Sequence, residues 1–293
     1  MQIFLLTPGR RLNQAMLYML AYVSAKYAIQ LHAFCVMSNH YHLVLTDPLG
    51  NSPDFFQDLH SLATRCINRL RKRRGSMWEA SVSYNSCLLG SSDESDVVVY
   101  GQEVVDKCVY AINNPLRATR VDSARKWPGV NSIDYKFGKT VNIQRPDWFF
   151  KDDSLPKTVE LTLTKPPGFE HLSDSEMDSL LRRQVWEDAV SVREEAKAAG
   201  KGFAGATSVL NQDPFYIPPP EPPEGSRIPY VASKCPERRK ALQEKIAKFR
   251  AEYRAALLEF REGNTTVPFP RGTYLMKRKF GVHCCSVDPH PPP

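Results

Sequence analysis

Residues 33–45 read Ala33-Phe-Cys-Val-Met-Ser-Asn-His-Tyr-His-Leu-Val-Leu45, an apolar run that contains two imidazoles, His40 and His42. The apolar residues on both sides predict one buried central strand, and the run is too short to span a membrane. Side chains two residues apart share one face of a strand, so both rings are expected to project together. Neutral imidazole is the commonest protein ligand of metals, so the pair predicts part of a divalent-metal site.

The histidine pair also has plainer interpretations. A single strand histidine often bonds a backbone carbonyl or lies at the sheet rim. A pair in this apolar setting, preceded by Met37-Ser38-Asn39, favours metal binding or catalysis instead. Metallohydrolases share the His-x-His pattern, but their common longer form has Asp and His where this chain has Val44 and Leu45. That class is therefore disfavoured.

Composition indicates a globular chain with a modest positive charge. The 293 residues suffice for one large domain or two ordinary ones, and 42% hydrophobic residues suffice for a core. The formal net charge is +7 and the pI is near 9.0. Positive charge is concentrated in one segment, which fits either a solvated helix end or a polyanion-binding surface. Its residues are Arg69, Arg71, Lys72, Arg73 and Arg74.

The cysteines and the lack of long apolar segments predict a cytoplasmic protein without membrane contact. The seven cysteines show no Cys-x-x-Cys spacing, and three lie in apolar segments of the N-terminal half, as reduced core residues do. No positively charged start precedes an apolar stretch, and no segment approaches eighteen consecutive apolar residues.

Helical spacing predicts a helix on each side of the histidine strand. Asn13 can cap the first, and Ser52-Pro53 predicts the start of the second, because proline suits the first helical position. The expected apolar residues are Met16, Leu20, Val23 and Tyr27 in the first and Phe56, Leu59, Ala63 and Ile67 in the second. A return strand is expected over the run from Tyr84 to Leu89, followed by a loop or an insertion over residues 91–96.

A third helix is predicted from about Gln102, and it places Tyr110 away from the core. At about 100° per residue, Tyr110 points almost opposite to the apolar stripe. Asn114 precedes Pro115, so the helix is expected to end there with the Asn114 amide free to face a ligand. The stripe is Val104, Val105, Cys108, Val109 and Ile112, and Asp106, Lys107, Asn113 and Asn114 are expected beside Tyr110. Exposed helical tyrosines usually have no catalytic role, so proximity to the histidine pair decides whether Tyr110 has one.

These segments together resemble a known family. Residues 33–45, the basic helix, Trp78 and then Tyr110-Ala-Ile-Asn-Asn-Pro-Leu-Arg117 are similar in order and spacing to the single-tyrosine HUH transposases, in the branch called REP-associated tyrosine transposases. The similarity covers roughly the first 135 residues. The family name describes two histidines flanking a usually hydrophobic residue, and Tyr41 fills that middle position.

The resemblance implies a fold and an activity. The fold is α+β, with a ferredoxin-like antiparallel sheet, helices on one face, and a mainly helical C-terminal extension. The implied protein is a bacterial, nucleoid-associated homodimer that cuts and rejoins single-stranded DNA at hairpin-bearing ends. A 5′-phosphotyrosine bond conserves the energy for rejoining, so no nucleotide cofactor is expected.

The resemblance also implies a role for each motif residue. His40 and His42 correspond to metal ligands, Tyr110 to the nucleophile, and Asn114 to the polar residue that completes a site for Mg²⁺ or Mn²⁺. A free phenol has a pKa near 10, so the metal or a neighbour such as Lys107 must help it react. The backbone phosphates would be held by Arg65, Arg69, Arg71, Lys72, Arg73 and Arg74, and unpaired bases would stack on Trp78 or Tyr84, which are equally plausible as core residues.

One feature departs from the family pattern. Family members usually begin with a tyrosine-histidine-valine-threonine strand, which lies in the central sheet before the segment matching Gln2 to Leu6. This sequence starts after that strand. Either the start codon is assigned too far downstream, or Gln2 to Leu6 replaces the strand, or the protein is a decayed copy. A missing central strand would expose backbone donors and acceptors. The alternatives to a transposase are therefore a truncated, catalytically inactive relic that binds single-stranded or hairpin DNA, and a metal-dependent phosphodiesterase that uses water.

The sequence predicts a transposase domain over residues 1–140 and an extension over residues 141–293. Ser173 and Glu176 form a capping-box pattern that opens a helix reaching about Ala199. A proline-rich linker over 213–236 precedes a helix over 237–261, a short basic hairpin over 269–282, and a disordered tail. The extension is expected to pack on the catalytic domain or a partner subunit, as a structural tail or an aid to gripping DNA.

Overall fold

The structure is a computed structural model that describes residues 3–78, 87–88, 97–150, 155–217, 230–231 and 235–285. Its architecture is α+β, as the sequence predicts. Contacts divide the chain into one compact unit of Met1–Asn85 with Ser91–Ile228 and another of Ser86–Gly90 with Pro229–Pro293. The elements in chain order are α1 (Arg10–Tyr27), β1 (Gln30–Val36), β2 (Tyr41–Thr46), α2 (Ser52–Leu70), β3 (Cys87–Leu88), α3 (Val97–Arg117), β4 (Thr140–Gln144), β5 (Thr158–Thr162), α4 (Asp174–Ala198), α5 (Ala206–Leu210), β6 (Tyr230–Val231), α6 (Pro236–Arg261) and α7 (Leu275–Phe280).

The histidine segment is a β-hairpin rather than one strand. β1 and β2 pair antiparallel, with Cys35 opposite His42. Polar residues at 38 and 39 favour a turn, and the Met37 amide donates to the His40 carbonyl at 2.8 Å, which closes it. The prediction of a single buried strand is therefore wrong. β1 is almost fully buried, whereas β2 is half-exposed throughout, since among the described strands it pairs with β1 alone.

Two helices, α1 and α2, pack against each other. The predicted Asn13 cap is wrong, because α1 begins at Arg10 and the side-chain Nδ2 of Asn13 donates to the Pro128 carbonyl at 2.7 Å. The helix predicted from Ser52-Pro53 is confirmed, but Asn51 rather than Ser52 is the N-cap residue, so Pro53 is the second helical residue instead of the first. Its predicted buried positions Leu59, Ala63 and Ile67 are confirmed, but Phe55 is buried in place of the half-exposed Phe56.

α3 lies against β1 and β2 and also against α4. The prediction that it ends before Pro115 is wrong, because α3 continues to Arg117. Proline lacks one amide donor, yet the Ala118 amide donates to the Asn114 carbonyl and the Arg120 amide to the Pro115 carbonyl, each at 2.9 Å. Asn113 and Asn114 are buried instead of solvent-facing, because neighbouring elements cover both sides of the helix.

Several elements lie beyond the expected boundary at residue 140. β4 begins at Thr140 and pairs antiparallel with β5, and both strands contact α1. α4 carries the predicted capping box, with both the Ser173 and the Glu176 hydrogen bonds present. Contacts therefore assign residues 141–228 to the first unit. The described strands form three two-stranded sheets, and neither β4 nor β5 was predicted.

In the other unit, α6 confirms the predicted helix over 237–261. The predicted basic hairpin over 269–282 is wrong, because the segment contains the short helix α7. β3 holds two residues of the predicted return strand and pairs in parallel with β6. Most of the expected linker, the loop over 91–96 and the C-terminal tail lie outside the described residues.

The described cysteines include buried thiols, as the sequence predicts. Cys35, Cys66 and Cys108 are buried and form no disulfide. Burial raises the pKa of Cys66 and of Cys108 to about 12, so both thiols stay protonated. Within the described residues, no helix combines the length and the apolar character that crossing a membrane requires.

Candidate active site

The two motif histidines meet at the start of β2. His40 is the last residue of the hairpin turn and His42 is the second residue of the strand, so their side chains lie on the same face. Their Nε2 atoms are 3.0 Å apart. His40 is exposed and His42 is half-buried, so the pair lies at the rim of the hairpin rather than inside the core.

Hydrogen bonding fixes the tautomer of His40. Its Nδ1 lies 2.7 Å from Oδ1 of Asn39. An amide oxygen only accepts, so Nδ1–H donates, and in the neutral ring His40 Nε2 carries a lone pair. His42 Nε2 then either donates to that lone pair or presents a second one to the same space. The second arrangement is the one that a metal requires.

His42 is held neutral by its surroundings. Burial and, to a smaller extent, the nearby His40 ring lower the pKa of His42 to about 4, although a hydrogen bond with Asn114 acts in the opposite direction. An uncharged ring at ordinary pH can serve as a metal ligand. Asn114, from the last turn of α3, is thus hydrogen-bonded to His42.

Tyr110 lies beside the same pair. Its ring is perpendicular to that of His42 at 87°, with 5.6 Å between centroids. Tyr110 remains 43% exposed. Two cations lie near this ring, with Lys107 Nζ at 5.9 Å and Arg117 Cζ at 5.5 Å from its centroid. The fold therefore brings together all four residues expected at the site, Tyr110, His40, His42 and Asn114, and places two cations near the Tyr110 ring.

The donor set fits a small divalent cation. Two ligands on adjacent corners of an octahedron, each about 2.1 Å from Mg²⁺, lie about 3.0 Å apart, which matches the His40–His42 separation of 3.0 Å. In the described part of the chain, no group of three or more His, Cys, Asp and Glu side chains could hold a metal. The Asn114 amide is the third protein group at this site. Substrate or water oxygens would have to supply the remaining ligands.

The basic segment is divided between structural and exposed cations. Arg71 donates to the carbonyls of Leu5 and Thr7, at 3.2 and 2.8 Å, and burial lowers its pKa. Arg73 donates to Asn68 Oδ1 at 2.9 Å and to the Ser76 carbonyl at 3.1 Å. The other cations expected to bind DNA, Arg65, Arg69, Lys72 and Arg74, are exposed. Arg71 and Arg73 therefore brace the protein rather than offer open phosphate contacts.

The aromatic residue Trp78 packs against the protein. Its ring stacks on His60 with 4.4 Å between centroids, and its Nε1–H donates to the His60 carbonyl at 3.2 Å. Trp78 is half-buried, which favours the core interpretation over base stacking. The other candidate for stacking, Tyr84, lies outside the described residues.

Sequence reasoning missed three contributors to this region. Arg117 lies within the motif but was given no role. It follows Tyr110 by seven residues, which is about two helical turns, so both residues lie on the same face of the helix. Asp188 of α4 pairs with Arg117, and His60 of α2 bonds Tyr41. Asp188 and His60 had no sequence signal, because their contacts depend on how separate elements pack.

Comparisons with known proteins identify no relative of this chain. No protein-family model matches the chain, and no curated protein or solved structure matches it either. The resemblance to single-tyrosine HUH transposases therefore depends on the motif residues and on the geometry that brings them together.

Proposed function

We propose that this protein is a metal-dependent tyrosine transposase of the HUH type, which cleaves and rejoins single-stranded DNA at hairpin-bearing ends. The observation that carries the proposal is the contact of His42 with three other motif residues. His40 lies 3.0 Å away, Tyr110 packs perpendicular to the ring, and Asn114 is hydrogen-bonded to it. These residues come from a hairpin and from a helix about seventy positions later. A purely structural pair of histidines would not require the exposed phenol beside it.

The proposed chemistry is a transesterification at phosphorus. The Tyr110 oxygen bonds to the scissile phosphorus as the bond from phosphorus to the 3′ oxygen breaks. The phenol proton is lost to solvent, and the departing 3′ oxygen takes up a proton from solvent. The products are a 5′-phosphotyrosine and a free 3′-hydroxyl. In the reverse direction, a 3′-hydroxyl attacks the phosphotyrosine, so rejoining needs no nucleotide cofactor.

His40, His42 and Asn114 would hold the Mg²⁺ or Mn²⁺. When bound, such an ion polarises a nonbridging phosphate oxygen and stabilises charge in the transition state. The chain itself orients both imidazoles through Asn39 and Asn114 and keeps His42 neutral by burial. The exposed cations of the basic segment would contact the DNA backbone.

The proposed assembly is a homodimer around a ferredoxin-like domain. A different outcome, a catalytically inactive relic that binds single-stranded or hairpin DNA, is favoured by one observation. Residues 3–6 are buried but form no strand, and the hairpin of β1 and β2 is a two-stranded sheet within the described residues. A sheet without further central strands could lack the rigidity that catalysis requires.

A covalent capture experiment separates these functions. Labelled single-stranded DNA from the flanks of the gene is incubated with the full chain and Mn²⁺, and adducts that survive denaturation are scored. The proposal expects an adduct in the wild type and none in Tyr110→Phe. Tyr216→Phe is a matched control, because Tyr216 is also exposed in the same unit. Binding without an adduct would support the relic, and cleavage without an adduct would support a phosphodiesterase that uses water.

A further inference from the structure

Arg117 places a positive charge beside Tyr110 that the motif roles do not explain. Its Cζ lies 5.5 Å from the centre of the Tyr110 ring. The two residues are seven positions apart, so roughly 700° of helical rotation returns them to one face. The Arg117 side chain keeps 36% of its surface exposed. A ligand at the phenol could therefore reach the guanidinium as well.

The carboxylate of Asp188 anchors that guanidinium. Asp188 Oδ1 forms an ion pair with Arg117 Nη2, and Asp188 Oδ2 accepts a hydrogen bond from Asn113 Nδ2 at 2.9 Å. Asn113 Nδ2 also donates to the Val185 carbonyl at 2.8 Å. Both carboxylate oxygens are thus engaged, which ties the end of α3 to α4. A guanidinium has five N–H donors, so pairing with Asp188 leaves others for an anion.

We propose that Arg117 binds the nonbridging oxygens of the phosphate that Tyr110 attacks, and that Asp188 positions it. This inference rests on the proposed function, because it needs a phosphodiester at Tyr110. As the tyrosine oxygen bonds to phosphorus and the 3′ oxygen leaves, negative charge on the nonbridging oxygens must be stabilised. The planar fork of arginine matches two such oxygens, which a lysine cannot do.

Lys107 has a different part in this arrangement. Its Nζ lies 5.9 Å from the Tyr110 ring centroid, at a distance similar to that of Arg117. A flexible ammonium supplies a point charge without a fixed direction. Arg117 is instead held by a carboxylate that is itself only 22% exposed. The anchored cation is therefore the one suited to a defined phosphate geometry.

The proposal extends the active site into the C-terminal half of the sequence. The family resemblance ends near residue 135, whereas Asp188 lies in the middle of α4. α4 packs on α3 and belongs to the same compact unit. It would thus be part of the catalytic machinery rather than an appendage.

The test uses the full chain, labelled single-stranded DNA from the gene's flanks, and Mn²⁺. The rate of adduct formation at saturating DNA and the DNA concentration for half-maximal rate are measured separately. We expect Arg117→Ala to slow adduct formation about 100-fold and Arg117→Lys about 10-fold. Asp188→Asn should slow it about 10-fold, with the half-saturating concentration changed less than about threefold. Asp188→Glu, which keeps the carboxylate, should recover most of the rate.

The control is Arg125→Ala, which removes an exposed arginine from the same unit and should leave the rate unchanged. Wild-type rates in Arg117→Ala and Asp188→Asn, with no adduct in Tyr110→Phe, would overturn this inference and leave the proposed function standing. No adduct in the wild type would overturn both. If Arg117→Ala fails to fold, Arg117→Lys and Asp188→Asn decide the outcome. Equal slowing in Asp188→Asn and Asp188→Glu, with equally lowered melting temperatures, would overturn the positioning role.

Discussion

Tyr41 Oη lies 2.5 Å from His60 Nε2, and this contact ties the middle residue of the histidine motif to α2. Side chains alternate along a strand, so Tyr41 points away from the face that carries His42. Burial lowers the pKa of His60 to about 4, so its ring is neutral at ordinary pH. Trp78 packs on the same ring. The contacts among Tyr41, His60 and Trp78 therefore support β2 on the face opposite to His42.

Tyr41→Phe should therefore weaken the fold without removing the chemistry. The loss leaves a half-buried imidazole without this partner, and we expect the free energy of unfolding to fall by about 1–2 kcal/mol. Urea denaturation measures that change, and adduct formation at a temperature where the variant is folded measures activity. Loss of the adduct with unchanged stability would instead assign Tyr41 a chemical role.

Metal binding should depend on His42. Its neutral ring and its 3.0 Å approach to His40 predict that the full chain binds Mn²⁺. We expect His42→Ala to weaken the affinity at least about 10-fold in calorimetric titration. His171→Ala is the matched control, because His171 is exposed. Equal Mn²⁺ affinity in all three proteins would rule out the histidine pair as the metal site.

Mutation of Arg71 should lower stability, whereas mutation of Arg74 should weaken DNA binding. Arg71→Ala removes hydrogen bonds from a half-buried cation to two carbonyls and should lower the free energy of unfolding by about 2 kcal/mol. Arg74→Ala should leave stability nearly unchanged but weaken DNA binding. The slope of log affinity against log salt concentration should also decrease by the amount that corresponds to about one phosphate contact. Fluorescence anisotropy over a range of salt concentrations, with denaturation curves, distinguishes the two. Identical behaviour of the two variants would contradict the division of the basic segment.

His32 should make the fold sensitive to acid. It is buried, with Nδ1 2.8 Å from the Thr164 carbonyl oxygen and Nε2 2.8 Å from Thr46 Oγ1. Burial lowers its pKa to about 4, from an ordinary value of 6.5. The unfolded chain then binds a proton before the folded chain does, so stability is full above about pH 6.5 and falls as the pH drops toward 4. By linkage, this one group should cost roughly 2 kcal/mol at pH 5.

The measurement is the free energy of unfolding at pH 7.5 and at pH 5. In His32→Gln the difference between the two values should shrink by about 2 kcal/mol relative to the wild type. His42 and His60 also have lowered pKa values, so some acid sensitivity should remain in the variant. An unchanged difference in His32→Gln would contradict the assignment.

Local signals predicted the parts of the structure that depend on neighbouring residues. Ser52-Pro53 marks the start of α2, and the Ser173 and Glu176 pattern forms both hydrogen bonds of a capping box. The exposure of Tyr110 followed from helical periodicity alone. Each of these features is determined within about one helical turn of sequence.

Features that depend on competing or distant interactions were not predicted correctly. Ser38-Asn39 carries a turn signal, but the apolar residues around it led to one strand being expected instead of a hairpin. Pro115 was expected to end α3, yet the helix continues past it to Arg117, with hydrogen bonds from the Ala118 amide to the Asn114 carbonyl and from the Arg120 amide to the Pro115 carbonyl. Asp188 contacts Arg117 although the two residues are 71 positions apart in the sequence, and no local pattern predicts such a contact.

Tyr110 is proposed to form a covalent bond with DNA, and identification of the residue attached to the DNA tests this bond directly. The full chain is reacted with single-stranded DNA from the gene's flanks and Mn²⁺, digested with nuclease and protease, and analysed by mass spectrometry. We expect one nucleotide-bearing peptide, with the phosphate on the Tyr110 oxygen. Attachment at another residue, such as Tyr41, or the absence of any modified peptide under conditions where DNA is bound, would contradict it.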